Sequence, residues 1–148
     1  MISFELESNF KATDLLERAA QAALKQQSAP EGDITIVLTT NARLQKLNKE
    51  YLGIDAPTDV LSFPAHQTDP ETGRLYIGDI LISIPYAAQG AQAMGHSLEA
   101  EMQLLVVHGV LHLLGHDHAK AREKSRMWKA QSEILDALDL GQIQIRES

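Results

Sequence analysis

The chain has 148 residues, 44% hydrophobic and 22% charged, which fits one globular domain with a core of its own. It has no cysteine, which excludes disulfides, thiolate metal ligands and a cysteine nucleophile and fits a reducing, cytoplasmic setting. A formal net charge of −7 excludes a broad nonspecific grip on nucleic acid, so any polyanion must be met by a local basic patch.

In chain order, Ile2 to Leu6 alternates apolar and polar residues and reads as a strand. The opening MISFELESNF lacks a basic start followed by an apolar run, so no secretory signal is expected. Phe10 to Gln27 is alanine-rich with apolar residues at helical spacing, and Ser28 to Gly32 is a turn. Asp33 to Leu38 is β-branched and strand-like. Asn41 is placed to cap a second helix whose core face includes Leu44 and Leu47 and which ends near Gly53. Asp59 to Phe63 is a short strand, residues 67–73 form a turn-rich loop, and Leu75 to Ile84 returns as the second arm of a hairpin. Pro85 suits the first position of a helix, and Ser97 suits the cap of another from Leu98 to Leu114. That helix is apolar nearly all round and belongs in the core, yet its longest apolar stretch is too short to span a bilayer. Ala119 to Leu138 is a charged amphipathic helix. The expected fold is α+β over residues 1–148: a small mixed sheet of about four strands, several helices, and a central buried helix that binds metal.

The chemistry concentrates in His108-Gly-Val-Leu-His112-Leu-Leu-Gly115-His116-Asp117-His118, which reads H-x-x-x-H-x-x-G-x-x-H. A helix turns each side chain by about 100°, so His108 and His112 share one face. Gly115 can end the helix in a left-handed conformation, and His118 can then return as a third nitrogen. Three neutral imidazoles and an open fourth position make a catalytic zinc site, although the same donors also suit nickel, copper or iron. His116 is not needed by the pattern and reads as a supporting or solvent-facing residue.

Such a site points to hydrolysis. A zinc peptidase of the H-E-x-x-H type carries glutamate directly after the first histidine; here that position is Gly109, which argues against a peptidase. A glycine inside this helix signals either close approach by backbone or substrate, or a tight helix–sheet contact. The candidate bases or supports for a ligand imidazole are Asp117, Asp59 and Asp79, with caps and turns as their more ordinary roles.

The segment His108 to His118 closely resembles the YbeY family motif H-G-x-L-H-L-x-G-(Y/H)-D-H. Leu47-Asn-Lys-Glu-Tyr51, Ala56-Pro-Thr-Asp-Val-Leu-Ser-Phe-Pro64, Gly78-Asp-Ile-Leu-Ile-Ser83 and Gly95-His-Ser-Leu-Glu99 resemble the same family in the same order. The resemblance implies a single-strand-specific endoribonuclease with one zinc ion on His108, His112 and His118. It also implies roles in 16S rRNA 3′-end maturation and ribosome quality control, with contacts to the small ribosomal subunit.

One position departs from the family: Leu52 stands where an arginine that contacts RNA phosphate is usual. Arg43, Lys46 and Lys49 on the second helix are the nearby cations that can replace it, or else form a solvated helix face. Lys120, Arg122, Lys124, Arg126 and Lys129 form the densest basic run; Lys120 and Lys124 are assigned to guiding phosphate. Trp128 within it serves either as a base-stacking surface or as core. The alternative function is a non-catalytic ribosome-assembly factor with a structural metal, which the loss of arginine at Leu52 favours.

Overall fold

Four strands, β1 (Ile2–Leu6), β2 (Gly32–Thr39), β3 (Val60–Thr68) and β4 (Leu75–Ser83), form one mixed sheet in the order β1-β2-β4-β3. The computed structural model describes residues 1–116 and 120–141. Strands β1, β2 and β4 run parallel, and β3 pairs antiparallel with β4 as the other arm of the expected hairpin. Five helices complete the α+β fold: α1 (Thr13–Gln26), α2 (Asn41–Leu52), α3 (Ile84–Met94), α4 (Leu98–Leu113) and α5 (Ala121–Ala137). Among the described residues no helix is long and apolar enough to cross a membrane.

Strand alternation sorts the helices between the two faces of the sheet. Ile34, Ile36 and Leu38 of β2 and Ile80 and Ile82 of β4 pack into the main core with α1, α4 and α5. Val37, Leu61 and Leu81 point the other way, onto Leu44 and Leu47 of α2. Helices α2 and α4 therefore lie on opposite faces.

Several element ends differ from expectation for local reasons. Helix α1 begins at Thr13 rather than Phe10, because Phe10 packs against the core ahead of the first turn. The cap of α2 is Thr40, whose Oγ1 accepts from the Arg43 amide; the Asn41 side chain accepts from Ser83 Oγ at 2.5 Å instead. Pro85 takes the second position of α3, after Ile84. Strand β3 runs on to Thr68 through an irregularity between Pro64 and Gln67, where His66 adopts φ +47°.

Two of the family-like stretches do structural work. The buried Asn48 side chain donates to the Ala56 carbonyl at 3.0 Å, so the Leu47–Tyr51 stretch holds the start of the next one. His96 Nε2 donates to the fully buried Glu101 carboxylate at 2.6 Å, and Ser97 caps α4 through the Ala100 amide. This ties the α3–α4 turn to the first turn of α4.

At the other end of the sheet, the Met1 amine and the Arg74 guanidinium both reach the Asp33 carboxylate, at 2.9 and 2.6 Å. Hydrogen bonding from Arg74 first, and from the chain terminus second, holds this carboxyl well below the usual carboxylate range. A lowered folded-state pKa adds stability above an unfolded value of about 3.9 and loses it as pH falls towards the folded value. Asp33→Asn is expected to flatten the fall of Tm between about pH 4 and pH 2. Parallel acid limbs in thermal scans of the two proteins would remove this pair from the account.

Candidate functional site

Helix α4 is enclosed by α1, α3, α5 and the sheet. Across residues 100–113, only His108 and His112 keep partial exposure. Their face is turned towards α5: His108 Nδ1 lies 3.1 Å from Oε1 of the buried Gln131, and the Trp128 ring centroid is 6.0 Å from that of His108.

The two imidazoles meet at their far nitrogens. His108 Nε2 and His112 Nε2 are 3.1 Å apart, with ring planes at 74°. Two nitrogens bound at 2.0–2.1 Å to a tetrahedral zinc ion stand about 3.3 Å apart. The pair thus has the spacing of two corners of such a centre, and imidazole nitrogen is the donor type that zinc prefers here. Asp117 and His118, the expected base and third ligand, lie outside the described residues. Among the described residues no group of three histidine, cysteine or acidic side chains assembles into a metal site.

Helix α4 can carry this pair because its ends and its underside are fixed. The amides of Gly115 and His116 bond back to the carbonyls of His112 and Leu111, at 3.0 and 2.9 Å, with Gly115 at φ +97°. This is a Schellman closure, in which the glycine takes the conformation that a Cβ disfavours. His66 Nε2 donates to the Leu113 carbonyl at 2.8 Å, so β3 holds the same helix end. Underneath, a Cβ on Gly109 would meet Ile80 Cγ2 at 2.9 Å. The glycine after His108 therefore serves a tight helix–sheet contact, and the same contact leaves no room for the glutamate of a zinc peptidase.

Beyond the helix, His116 Nε2 donates to Gln27 Oε1 at 2.6 Å, which docks the loop on the end of α1. Burial, and secondarily the Arg126 charge, lowers the His116 pKa and keeps the ring neutral at neutral pH. A cleft of about 300 Å³ opens beside it, lined by Leu114, Gly115, His116, Glu123 and Arg126. Lys120 is exposed and Lys124 half-buried at the start of α5, near this cleft in the chain. Trp128 is partly buried against the core and lies beside His108.

The structure does not bring the α2 cations to the histidine pair. Arg43, Lys46 and Lys49 sit on the helix across the sheet from α4. Arg43 binds the Glu7 carboxylate at 3.1 Å, and Lys49 lies 3.8 Å from that of Asp55. Asp79 is also removed from the pair: it accepts from the Tyr76 hydroxyl, whose oxygen in turn accepts from the Thr35 hydroxyl at 2.8 Å. Asp59 accepts from Thr58 at 3.4 Å, and its carbonyl accepts from the Ser83 amide. Gln131, His66 and Gln27 escape a reading of the sequence. Only Gln131 leaves a trace there, as a polar residue in the apolar stripe Met127, Ala130, Ile134 and Leu135.

Comparison with known proteins gives the family. The family model described as endoribonuclease YbeY matches residues 2–139. The endoribonuclease YbeY of Pelotomaculum thermopropionicum is 43% identical, over 86% of this chain and 87% of the relative. That of Heliobacterium modesticaldum is 44% identical, over 82% and 80%. The solution structure of TM1509 from Thermotoga maritima superposes with a TM-score of 0.63 at 26% identity, covering 93% of this chain and 89% of that one. The chain belongs to the endoribonuclease YbeY family.

Proposed function

We propose that the chain is a zinc-dependent endoribonuclease that cuts single-stranded RNA, with His108, His112 and His118 as ligands of one ion and Asp117 as the adjoining base. The observation that carries this reading is the 3.1 Å approach of two imidazole nitrogens at the only partly open positions of an otherwise buried stretch of helix. When bound, the ion supplies Lewis acidity to a phosphate oxygen and lowers the pKa of water towards about 7.

The chain's own residues do the rest. His108 and His112 present their Nε2 atoms at one point, and Gln131 orients His108. Arg126 supplies positive charge at the cleft, and Lys120 and Lys124 precede it in the same basic run, in a protein whose net charge is −7. Such cations attract a phosphate backbone and make its binding weaken with salt. The biological role that goes with this chemistry is 16S rRNA 3′-end maturation and ribosome quality control in the cytoplasm, through contacts with the small ribosomal subunit.

One observation favours a second reading. Leu52, where the family resemblance leads one to expect arginine, is 61% exposed and offers no charge to phosphate. A non-catalytic assembly factor with a structural metal fits that position. Both readings meet one assay. Zinc-loaded protein should cleave single-stranded RNA and spare a duplex of the same sequence. A chelator should lower the rate by at least about 100-fold, and added zinc should restore it. RNA that is bound yet stays intact would establish the assembly factor and end the nuclease reading.

A further inference from the structure

Gln131 is 1% exposed, on the apolar stripe of α5 between Met127, Ala130, Ile134 and Leu135. A buried amide is costly without a partner, by roughly 1–3 kcal/mol in proteins. A leucine would suit that stripe without this penalty. The partner it has is the His108 ring, 23 residues away in the chain. An amide oxygen only accepts, so the ring nitrogen facing it, Nδ1, carries the proton. A neutral imidazole holds one N–H; with that proton on Nδ1, the free lone pair lies on Nε2. Nε2 is the atom that meets His112 Nε2.

We propose that Gln131 is the positioning residue of His108: its carbonyl oxygen selects the Nδ1–H tautomer and fixes the ring plane, so that Nε2 arrives at the metal point as a ready donor. This rests on the reading that His108 is a ligand. A partner on the remote N–H is what a ligating histidine commonly requires, and losing it typically weakens metal affinity 10–100-fold. An amide keeps this acceptor neutral, so it adds no negative charge to a site that must admit RNA phosphate. The role also explains why α5 is docked on α4 at this point: the helix that carries the basic run carries the orienting group as well.

The test compares wild type with Gln131→Met, which fits the apolar stripe and lacks the acceptor, and with Gln131→Glu, which restores one. In metal-free protein labelled with 15N-histidine, long-range correlation spectra report which ring nitrogen of His108 is protonated. Wild type and Gln131→Glu should show Nδ1–H, and Gln131→Met should move towards Nε2–H. Zinc affinity, measured by competition with a chromogenic chelator, should fall 10–100-fold in Gln131→Met and return to within about threefold in Gln131→Glu. Gln131→Leu replaces Gln131→Met if the latter does not fold. An Nε2–H tautomer in wild type, or unchanged zinc affinity in the folded apolar variant, overturns the proposal. Failure of wild type to bind zinc while showing the Nδ1–H tautomer overturns the metal reading instead, because the tautomer is read without metal.

Discussion

His112→Ala is expected to lower single-stranded RNA cleavage by more than about 100-fold, since even partners one shell removed from a metal act on that scale. The loss should come from the site and not from the fold. His112 is one of two half-open residues in the otherwise buried stretch 100–113, so its removal leaves no sealed cavity. Alanine is also the strongest helix former. The metal-free variant should therefore melt within a few degrees of wild type. A ligand that binds only the folded state adds about 2.7 kcal/mol at one hundred times its Kd, which for a chain of this size raises Tm by about 5–10 °C. Wild type should show that rise with zinc, and His112→Ala should lose most of it. A variant that cleaves RNA at the wild-type rate, prepared identically to exclude carried-over ribonuclease, would remove His112 from the chemistry.

Local signals were legible in the sequence and spatial ones were not. Alternation located β1 at Ile2–Leu6, and serine capping located the start of α4 at Leu98, because each depends on residues a few positions apart. The i, i+4 spacing of His108 and His112 carried their approach for the same reason. The sheet order β1-β2-β4-β3 depends on which distant strand slots beside β2, and no local pattern encodes that. The face chosen by α2 is likewise set by the register of Val37, Leu61 and Leu81, so Arg43, Lys46 and Lys49 read as neighbours of the site although the sheet separates them from it. Gln131 and His66 reach α4 from 23 and 47 residues away, and a single polar residue does not announce such a partner. The glycine at position 109 was legible as unusual and a tight helix–sheet contact was one of its two readings, but the choice between them rests on the Ile80 side chain beneath it, which belongs to the packed state.

That packing makes Gly78 the position where the smallest substitution should cost the fold most. A Cβ there would stand 2.5 Å from the Phe63 carbonyl oxygen, 2.7 Å from Leu113 Cδ2 and 3.1 Å from Pro64 Cα. Two of these neighbours are backbone atoms of β3, held opposite by the Pro64–Gly78 register. They can retreat only by opening the β3–β4 pair, and Leu113 can retreat only by lifting the end of α4. The His66 bond to the Leu113 carbonyl couples those two movements. Overpacking a core costs about 1–3 kcal/mol and occasionally more; with backbone in the way, Gly78→Ala belongs at about 3 kcal/mol or above, or about 6–12 °C in Tm. Gly109→Ala meets the Ile80 side chain at 2.9 Å instead, which can shift, and it gains up to about 1 kcal/mol of helix propensity. Its net cost should stay below about 2 kcal/mol. Urea unfolding of the two variants checks the order. Should Gly78→Ala prove the milder change, the close seating of α4 on the hairpin cannot be what holds His112 in place.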